Sequence, residues 1–535
     1  MSGVTANSEK AKKSQFSLKG LLNSFLSLFE PIISYFRTYM ENNRIDIDVL
    51  YMVTYMNSIA TANISRDEIF KRVSERDEYA CSKYMNQVYV LAKNWNYEYG
   101  TACNIVAERV SNWRLKDLLM RLSNAMAAGE PEAKFLESEW QTMMVIYKNE
   151  YERSLESMKK WTDAYTALLV SVSFMSVTVL LSTCIYNMGD PETMIGATLI
   201  VIALIAGIGS FVLRSEAPKE LKTHSMETRS PEQDRIKDMS KILLPVAAIL
   251  SIAMFAVGVD MGIILIVLGL IIAPMGLIGW RDNKNVTKRD EDYSQFIKML
   301  GSVVGSMGLT VKEGITKVDQ KSIGSLEPLV QKLYIRLVMG LDPKVCWNKF
   351  IGNSGSELIS KFTHIFTDAI DMGGDADRIG KLVNNTNMEV VLLRMKRRLV
   401  SSSFTTLIFP MHTAMCALTL FVIQILIIFS GMITNLYSTM SFNSGTDISG
   451  SGFSVNSLGF TMFQNVPTHL LATFGVALVV ILTIADTLSA KYVDGGDTYM
   501  LYFYGSIMAV LSGIVLLVVP VVVQSIFTFT SLSGV

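Results

Sequence analysis

The segment Gly374–Leu382 is the part of the sequence that comes closest to an enzyme motif. A phosphate-binding P-loop has four residues between its two glycines and a serine or threonine after its lysine, so that backbone amides surround the phosphate and the hydroxyl binds magnesium. Here five residues separate Gly374 from Gly380, and Leu382 follows Lys381. The spacing therefore predicts a helix turn with solvated charges, and any ATP hydrolysis has to come from a partner.

Acidic residues around this turn and four histidines are the candidate metal ligands. Asp371, Asp375 and Asp377 lack the remaining ligand positions of a calcium loop. The histidines, whose spacing is not that of a metal site, are His224, His364, His412 and His469. Five scattered cysteines without a C-x-x-C pair indicate neither a disulfide framework nor a zinc site. Since nucleophile-elbow and zinc-protease motifs are also missing from the sequence, we expect no enzyme, no metal and no cofactor.

Two polar side chains, Gln424 and Asp486, lie inside long apolar stretches. An intramembrane carboxylate is a functional hypothesis by default, because burying it is costly. Asp486 lies only a few residues from the predicted cytoplasmic end of its stretch, so water or Lys491 could also satisfy it. His412 and His469 are expected near membrane ends, where a satisfied polar side chain is the ordinary case. Both a functional and a structural role stay open for Gln424 and Asp486.

Three clusters of polar residues are candidate contacts for a partner. A basic cluster precedes an apolar stretch and is expected either to anchor to anionic headgroups, worth about 1 kcal/mol per residue, or to meet an acidic protein surface. An acidic turn between two other stretches and the Gly-containing turn described above are the remaining candidates. The residues are Arg394, Lys396, Arg397, Arg398, Asp494, Gly495, Gly496, Asp497, Gly373, Gly374 and Asp375.

The composition of the sequence indicates the class of protein that contains these residues. Of 535 residues half are apolar and 18% are charged, whereas soluble proteins carry about 25% charged residues. Lys plus Arg and Asp plus Glu are balanced at 48 each, which excludes a nucleic-acid binder that works through net charge. Seven stretches reach the ~20 apolar residues that span a bilayer: 166–188, 192–213, 242–259, 261–280, 404–433, 468–489 and 500–527.

The basic residues orient these spans, because cytoplasmic segments hold an excess of Lys and Arg. The connection 214–241 is rich in them, whereas the alternate connections contain none. The sequence therefore predicts a cytoplasmic N-terminus, two cytoplasmic charged regions and an external C-terminus. Segment 16–39 is interrupted by charges and by Pro31, so an amphipathic helix on the membrane is favoured over a span, and both readings stay open.

The two charged regions contain the same landmarks at nearly the same offset. Ser65 with Glu68, and Thr310 with Glu313, form capping boxes that begin a helix. Further on, Asn124–Gly129 and Asp368–Gly373 each predict a helix that ends at a glycine. A long helix toward the membrane is expected to follow in each copy. Two landmarks at matching offsets predict a repeated helical domain.

The sequence thus predicts an all-α polytopic membrane protein with two repeated cytoplasmic helical bundles and about seven transmembrane helices. Its expected parts are an N-terminal basic segment and amphipathic helix 1–45, domain 46–160, spans 161–213, charged loop 214–241, spans 242–280, domain 281–400, and spans 401–535 with the external loop 437–467.

This plan resembles the inner-membrane platform proteins of type IV pili and type II secretion. The four-span spacer, the three-span ending and the segments Leu341–Trp347, Gly355–Ile359 and Ala369–Gly374 are similar to those of the archaellum (archaeal flagellum) platform family. The resemblance implies a non-enzymatic protein of an archaeal cell membrane. Its implied partners are a hexameric cytoplasmic secretion ATPase, archaellin- or pilin-like filament subunits, other motor-complex components, membrane lipids and a second copy of the chain, with no nucleic acid.

The resemblance implies that the protein couples the ATPase to insertion of subunits from the membrane, either for an archaellum or for an adhesive pilus. The alternative is a polytopic transporter with cytoplasmic regulatory domains. A transporter needs paired intramembrane charges or broken helices along a path. The spans carry almost no charge and show no such site in the sequence, which favours the platform.

Overall fold

The computed structural model describes residues 42, 44–186, 191–443 and 468–532. The predicted segment 16–39 lies outside these residues, as does the predicted external loop from 444 onward. The described part contains α-helices, one 3-10 helix and no strand, which confirms the all-α class. The helices are α1 (44–60), α2 (Arg66–Ser74), α3 (Ser82–Asn94), α4 (Tyr99–Arg109), α5 (Trp113–Ala127), α6 (Glu132–Tyr186), α7 (Pro191–Glu216), α8 (Pro231–Ala256), α9 (Met261–Met307), α10 (Val311–Lys317), the 3-10 helix (Gln320–Leu326), α11 (Glu327–Val338), α12 (Pro343–Ser354), α13 (Glu357–Asp371), α14 (Ala376–Asn443), α15 (Thr468–Asp494) and α16 (Met500–Leu532).

Seven helices in the described part are long and apolar enough to cross a membrane, as predicted. They are α6, α7, α8, α9, α14, α15 and α16. Three of them, with 55, 47 and 68 residues, are much longer than a span requires: α6, α9 and α14. The predicted domain boundaries at 160, 280 and 400 fall inside these three helices, so that no loop separates charged from apolar sequence there.

The predicted helix starts and stops are confirmed. Ser65 Oγ accepts from the backbone N–H of Glu68 at 3.3 Å. At the second capping box both bonds form, because Glu313 Oε2 also accepts from the backbone N–H of Thr310 at 3.0 Å. Gly129 and Gly373 follow α5 and α13 with φ of 70° and 85°, a conformation that glycine adopts without a steric penalty. The repeat of the two regions stays a prediction.

The described residues form two compact units. The first contains the residues up to Tyr147 together with Ile297–Gly314 and Lys361–Thr386. Its core includes a buried ion pair, in which Lys361 Nζ lies 2.6 Å from Asp48 Oδ1. Within this unit α9 and α14 lie close together at Gly301, since a Cβ on this residue would lie 2.5 Å from Ala376 O. Only glycine permits this close approach.

The second unit contains Lys148–Phe296, Ile315–Ser360 and Asn387–Val535, and so includes the apolar spans. Here α9 packs on α16 through glycines one heptad apart, Gly262, Gly269 and Gly276. A Cβ on Gly276 would lie 2.7 Å from Phe503 Cα. The two helices therefore pack backbone against backbone, as small residues allow in membranes.

Candidate functional site

The basic cluster on α14 divides into one buried, one half-buried and two exposed side chains. Arg394 donates to Glu220 Oε2 and Asp290 Oδ2, each at 2.8 Å, and to the carbonyl of Leu221 at 2.9 Å. Lys396 and Arg398 are exposed, and Lys396 pairs with Glu152. The structure therefore uses Arg394 inside the protein and leaves the other two at the surface.

Arg397 holds the last turn of α15 to the loop after α7. Its side chain is 4% exposed and donates to Glu220 Oε1 at 2.9 Å and to the carbonyl of Pro218 at 2.8 Å. It also donates to the carbonyls of Tyr492 at 3.0 Å and Val493 at 3.3 Å. One guanidinium group of α14 thus joins the loop after α7 to the end of α15. It also satisfies carbonyls that the end of a helix leaves free.

Burial and neighbouring charges shift the pKa values of the ionisable groups in this cluster. Burial raises the pKa of Glu220, but Arg394 and Arg397 outweigh burial and hold that pKa below its ordinary value. At Asp290 burial outweighs the attraction of Arg394 and raises the pKa. Burial and the neighbouring Arg394 lower the pKa of Lys222 to about 8. Glu220 is therefore the carboxylate that holds the two arginines together.

The predicted acidic turn is part of the same cluster. A Cβ on Gly495 would lie 2.7 Å from Arg397 Cζ, so the glycine lets the turn lie against the guanidinium. Asp497 accepts from Thr223 Oγ1 at 2.6 Å, and Asp494 Oδ1 lies 3.4 Å from Ser401 Oγ. Gly496, like its neighbours in the turn, is half-buried. The structure thus brings together two of the three predicted contact clusters.

The third predicted cluster lies in the first unit and connects α13 to α14. Asp375 Oδ1 accepts from the backbone N–H groups of Asp377 at 3.0 Å and Arg378 at 3.3 Å, which caps α14. A Cβ on Gly374 would lie 2.7 Å from Thr61 Oγ1. This turn ends one helix and begins the next, as the spacing predicts. Contact of the turn at Gly373 with a partner stays a prediction.

A second polar cluster lies within the spans, where Asp486 is 1% exposed. Tyr165 of α6 donates to Asp486 Oδ1 at 2.8 Å. His412 Nδ1 of α14 lies 2.7 Å from Asp486 Oδ2, and its Nε2 lies 2.8 Å from Ser512 Oγ of α16. Thr483 of α15 extends the chain, with its Oγ1 2.6 Å from Ser512 Oγ. The cluster therefore joins four spans.

The cluster bears on the sequence expectations for both residues. Asp486 contacts Tyr165 and His412, whereas Lys491 lies over the ring of Tyr492. His412 is a satisfied polar side chain, as expected, since both ring nitrogens have partners, and it is completely buried about 12 Å along the helix from Phe404, at 1.5 Å per residue. Gln424 is half-buried further along α14 and lies outside the cluster.

Chemically the cluster can hold a proton between a carboxylate and an imidazole and fix the positions of the spans. In a low dielectric each partner stabilises the other, and loss of one leaves a costly uncompensated group. Among the described residues no three His, Cys, Asp or Glu side chains are grouped to hold a metal ion.

Comparison with known proteins gives two curated relatives. Flagella accessory protein J of Methanocaldococcus jannaschii is 24% identical over 476 residues, which cover 86% of this chain and 81% of the relative. Flagella accessory protein J of Methanococcus voltae is 21% identical over 454 residues, which cover 83% of this chain and 79% of the relative. No protein-family model and no solved structure matches the chain. These two archaeal relatives, similar over most of the chain, confirm the resemblance to the archaellum platform family.

Proposed function

We propose that the protein is the membrane platform of an archaellum or a related type IV pilus-like machine. In this role it couples a cytoplasmic hexameric secretion ATPase to insertion of filament subunits from the membrane. The names of the two relatives support a role in archaellum assembly. The seven apolar helices support a multi-pass location in the cell membrane, and the distribution of basic residues supports the predicted topology.

The observation that carries the proposal is the continuity of α14 with the arginine cluster. From 387 to 434 the second unit contains one helix that passes from charged into apolar sequence. Arg394 and Arg397 connect its charged part to Glu220 and to the last turn of α15. A force on this part of α14 therefore acts on the ends of three spans at once, because the hydrogen bonds keep them together.

The exposed cations of the same helix are the proposed contacts for the ATPase. Lys396 and Arg398 are exposed, whereas Arg394 and Arg397 are occupied internally. A partner with an acidic surface would meet the first two without breaking the internal cluster. Other motor-complex components and a second copy of the chain are further proposed partners, and we propose no enzymatic activity for the chain itself.

Deletion of the protein in its native host tests the proposal. We expect loss of filaments, while the filament subunit stays inserted in the membrane. Normal filaments in the deletion strain would refute the platform role.

Expression of variants in the deletion strain tests the proposed ATPase contact. The variant Lys396→Glu/Arg398→Glu is expected to co-purify less secretion ATPase than the original chain, at unchanged protein level. The matched control, Lys237→Glu/Lys241→Glu, changes two exposed cations near the start of α8 and is expected to leave co-purification intact.

A transporter is the second candidate, because the structure contains an intramembrane pair that the sequence analysis did not expect. His412 and Asp486 are ionisable groups in contact inside the spans, and such groups mark proton or ion pathways in many transporters. Uptake driven by a membrane potential in liposomes separates the two functions. Uptake that is lost in Asp486→Asn would support the transporter, and absence of uptake favours the platform.

A further inference from the structure

A groove between α7 and α15 is open at the surface of the second unit. Its volume is about 290 Å³. Small side chains on one face of α7 form its floor, among them Ala203, Gly207 and Ser210. Two apolar residues of its wall, Phe211 and Ile484, are 62% and 57% exposed. Since both helices are apolar spans, the groove faces the hydrocarbon of the membrane.

Arg214 lines one end of this groove, and a second cation, Lys491, lies beside the same aromatic ring. Arg214 and Tyr492 are part of its wall, and the Arg214 guanidinium lies 5.4 Å from the centre of the Tyr492 ring. Lys491 Nζ also lies 5.4 Å from that centre. Neither cation forms an ion pair with a carboxylate of the described residues. Asp497, an acid close enough to act on Lys491, accepts from Thr223.

The cations are also not needed by the end of α15. Arg397 already donates to the carbonyls of Tyr492 and Val493, so the helix end is satisfied. Two positive charges at a membrane boundary therefore remain available to an anion. A phosphate group in that position would lie directly above an apolar groove.

We propose that this groove binds one anionic phospholipid, whose phosphate contacts Arg214 and Lys491 and whose acyl chain lies along Gly207. Charge complementarity selects an anionic headgroup, because basic residues near a membrane surface attract anionic lipids. The apolar lining below the cations suits an acyl chain, because both helices are apolar spans. In the proposed topology the lipid belongs to the inner leaflet. The inference does not depend on the proposed function.

Glycines of α7 provide a sharp test of the apolar part. A Cβ on Gly207 would have nothing within 4 Å, and neither would a Cβ on Gly196 of the same helix. In Gly207→Leu the new Cβ therefore causes no clash, and the side chain fills the groove. Gly196→Leu makes the same change outside the groove. The two variants have the same composition and are expected to melt at similar temperatures.

The charged part is tested by Arg214→Gln and by Arg214→Gln/Lys491→Gln. Each basic residue near a membrane surface is worth about 1 kcal/mol, so we expect binding to weaken about fivefold per substitution. Lys237→Gln at the start of α8 removes one exposed cation outside the groove and is the control. It is expected to bind lipid like the original chain.

The measurement is native mass spectrometry of the full-length chain in detergent, titrated with phosphatidylglycerol or phosphatidylcholine. We expect one phosphatidylglycerol to bind more tightly than the others, to be lost in Gly207→Leu and to be weakened in the glutamine variants. Millimolar inorganic phosphate is expected not to displace it. Equal binding of the two lipids, equal binding by Gly207→Leu and Gly196→Leu, or displacement by phosphate alone would each overturn the proposal.

Discussion

His412→Leu is expected to destabilise the protein much more than Asp486→Asn, although each removes one end of the same 2.7 Å contact. In His412→Leu the Asp486 carboxyl keeps the hydroxyl of Tyr165 as a donor but has no cation beside it. Removing one partner of a buried ion pair leaves an uncompensated buried group, which is strongly destabilising. We therefore expect His412→Leu to lower the free energy of unfolding by about 3–5 kcal/mol.

Asp486→Asn replaces the carboxylate by a neutral amide of nearly the same shape, which keeps a hydrogen-bonding group beside Tyr165 and His412. The loss is then that of hydrogen bonds between membrane helices, which average about 0.6 kcal/mol each and reach about 1.7 kcal/mol. For the two contacts of Asp486 we expect about 1–2 kcal/mol. The double variant His412→Leu/Asp486→Asn removes both charges and is expected to be more stable than His412→Leu alone.

Reversible unfolding with SDS in mixed micelles at pH 7 measures these differences. Gln424→Leu, a half-buried polar residue of α14 outside the cluster, is the control and is expected to change stability little. Equal losses in the two single variants, or strict additivity in the double variant, would refute the assignment of a charged pair.

Further outcomes are expected from the structure and from the predicted topology. Glu220→Gln leaves two buried arginines without their shared carboxylate and is expected to cost about 3–5 kcal/mol in the same unfolding assay, whereas Glu152→Gln, which breaks an exposed pair, is expected to change nothing measurable. Because the pKa of Glu220 is lowered in the folded protein, its contribution is present at neutral pH and is lost as the pH falls through that value, so the original chain is expected to lose more stability on acidification than Glu220→Gln. Gly276→Ala places a Cβ 2.7 Å from Phe503 Cα and is expected to cost about 1–3 kcal/mol, whereas Gly196→Ala meets open space and is expected to be neutral or slightly stabilising. Cysteines at Lys134 and Lys349, both exposed, are expected to resist an impermeant maleimide in intact cells and to react after lysis, and a cysteine at Ser451 is expected to react in both; labelling of the first two in intact cells would contradict the topology.

Local rules were sufficient for much of this fold. A stretch of about twenty apolar residues without a charge identifies a span with no information from the rest of the chain. A capping box or a terminal glycine likewise identifies a helix end from about four or five residues. The pairing of His412 with Asp486 needs different information, since these residues lie on different helices and 74 positions apart. One general argument does point to it. Two ionisable side chains within apolar spans are costly to bury separately, so each has a reason to lie beside the other.

The division of the basic cluster was also readable from helix geometry. On α14 the buried positions follow one another at steps of three or four, which is one face of a helix. They include Arg397, Ser401, Phe404, Ile408 and His412. Charge alone places the cluster at the membrane surface, but this periodicity places Arg397 on the same buried face as His412. A single face of one helix therefore carries both polar clusters, and a rotation of α14 would disturb the arginine junction and the intramembrane pair together.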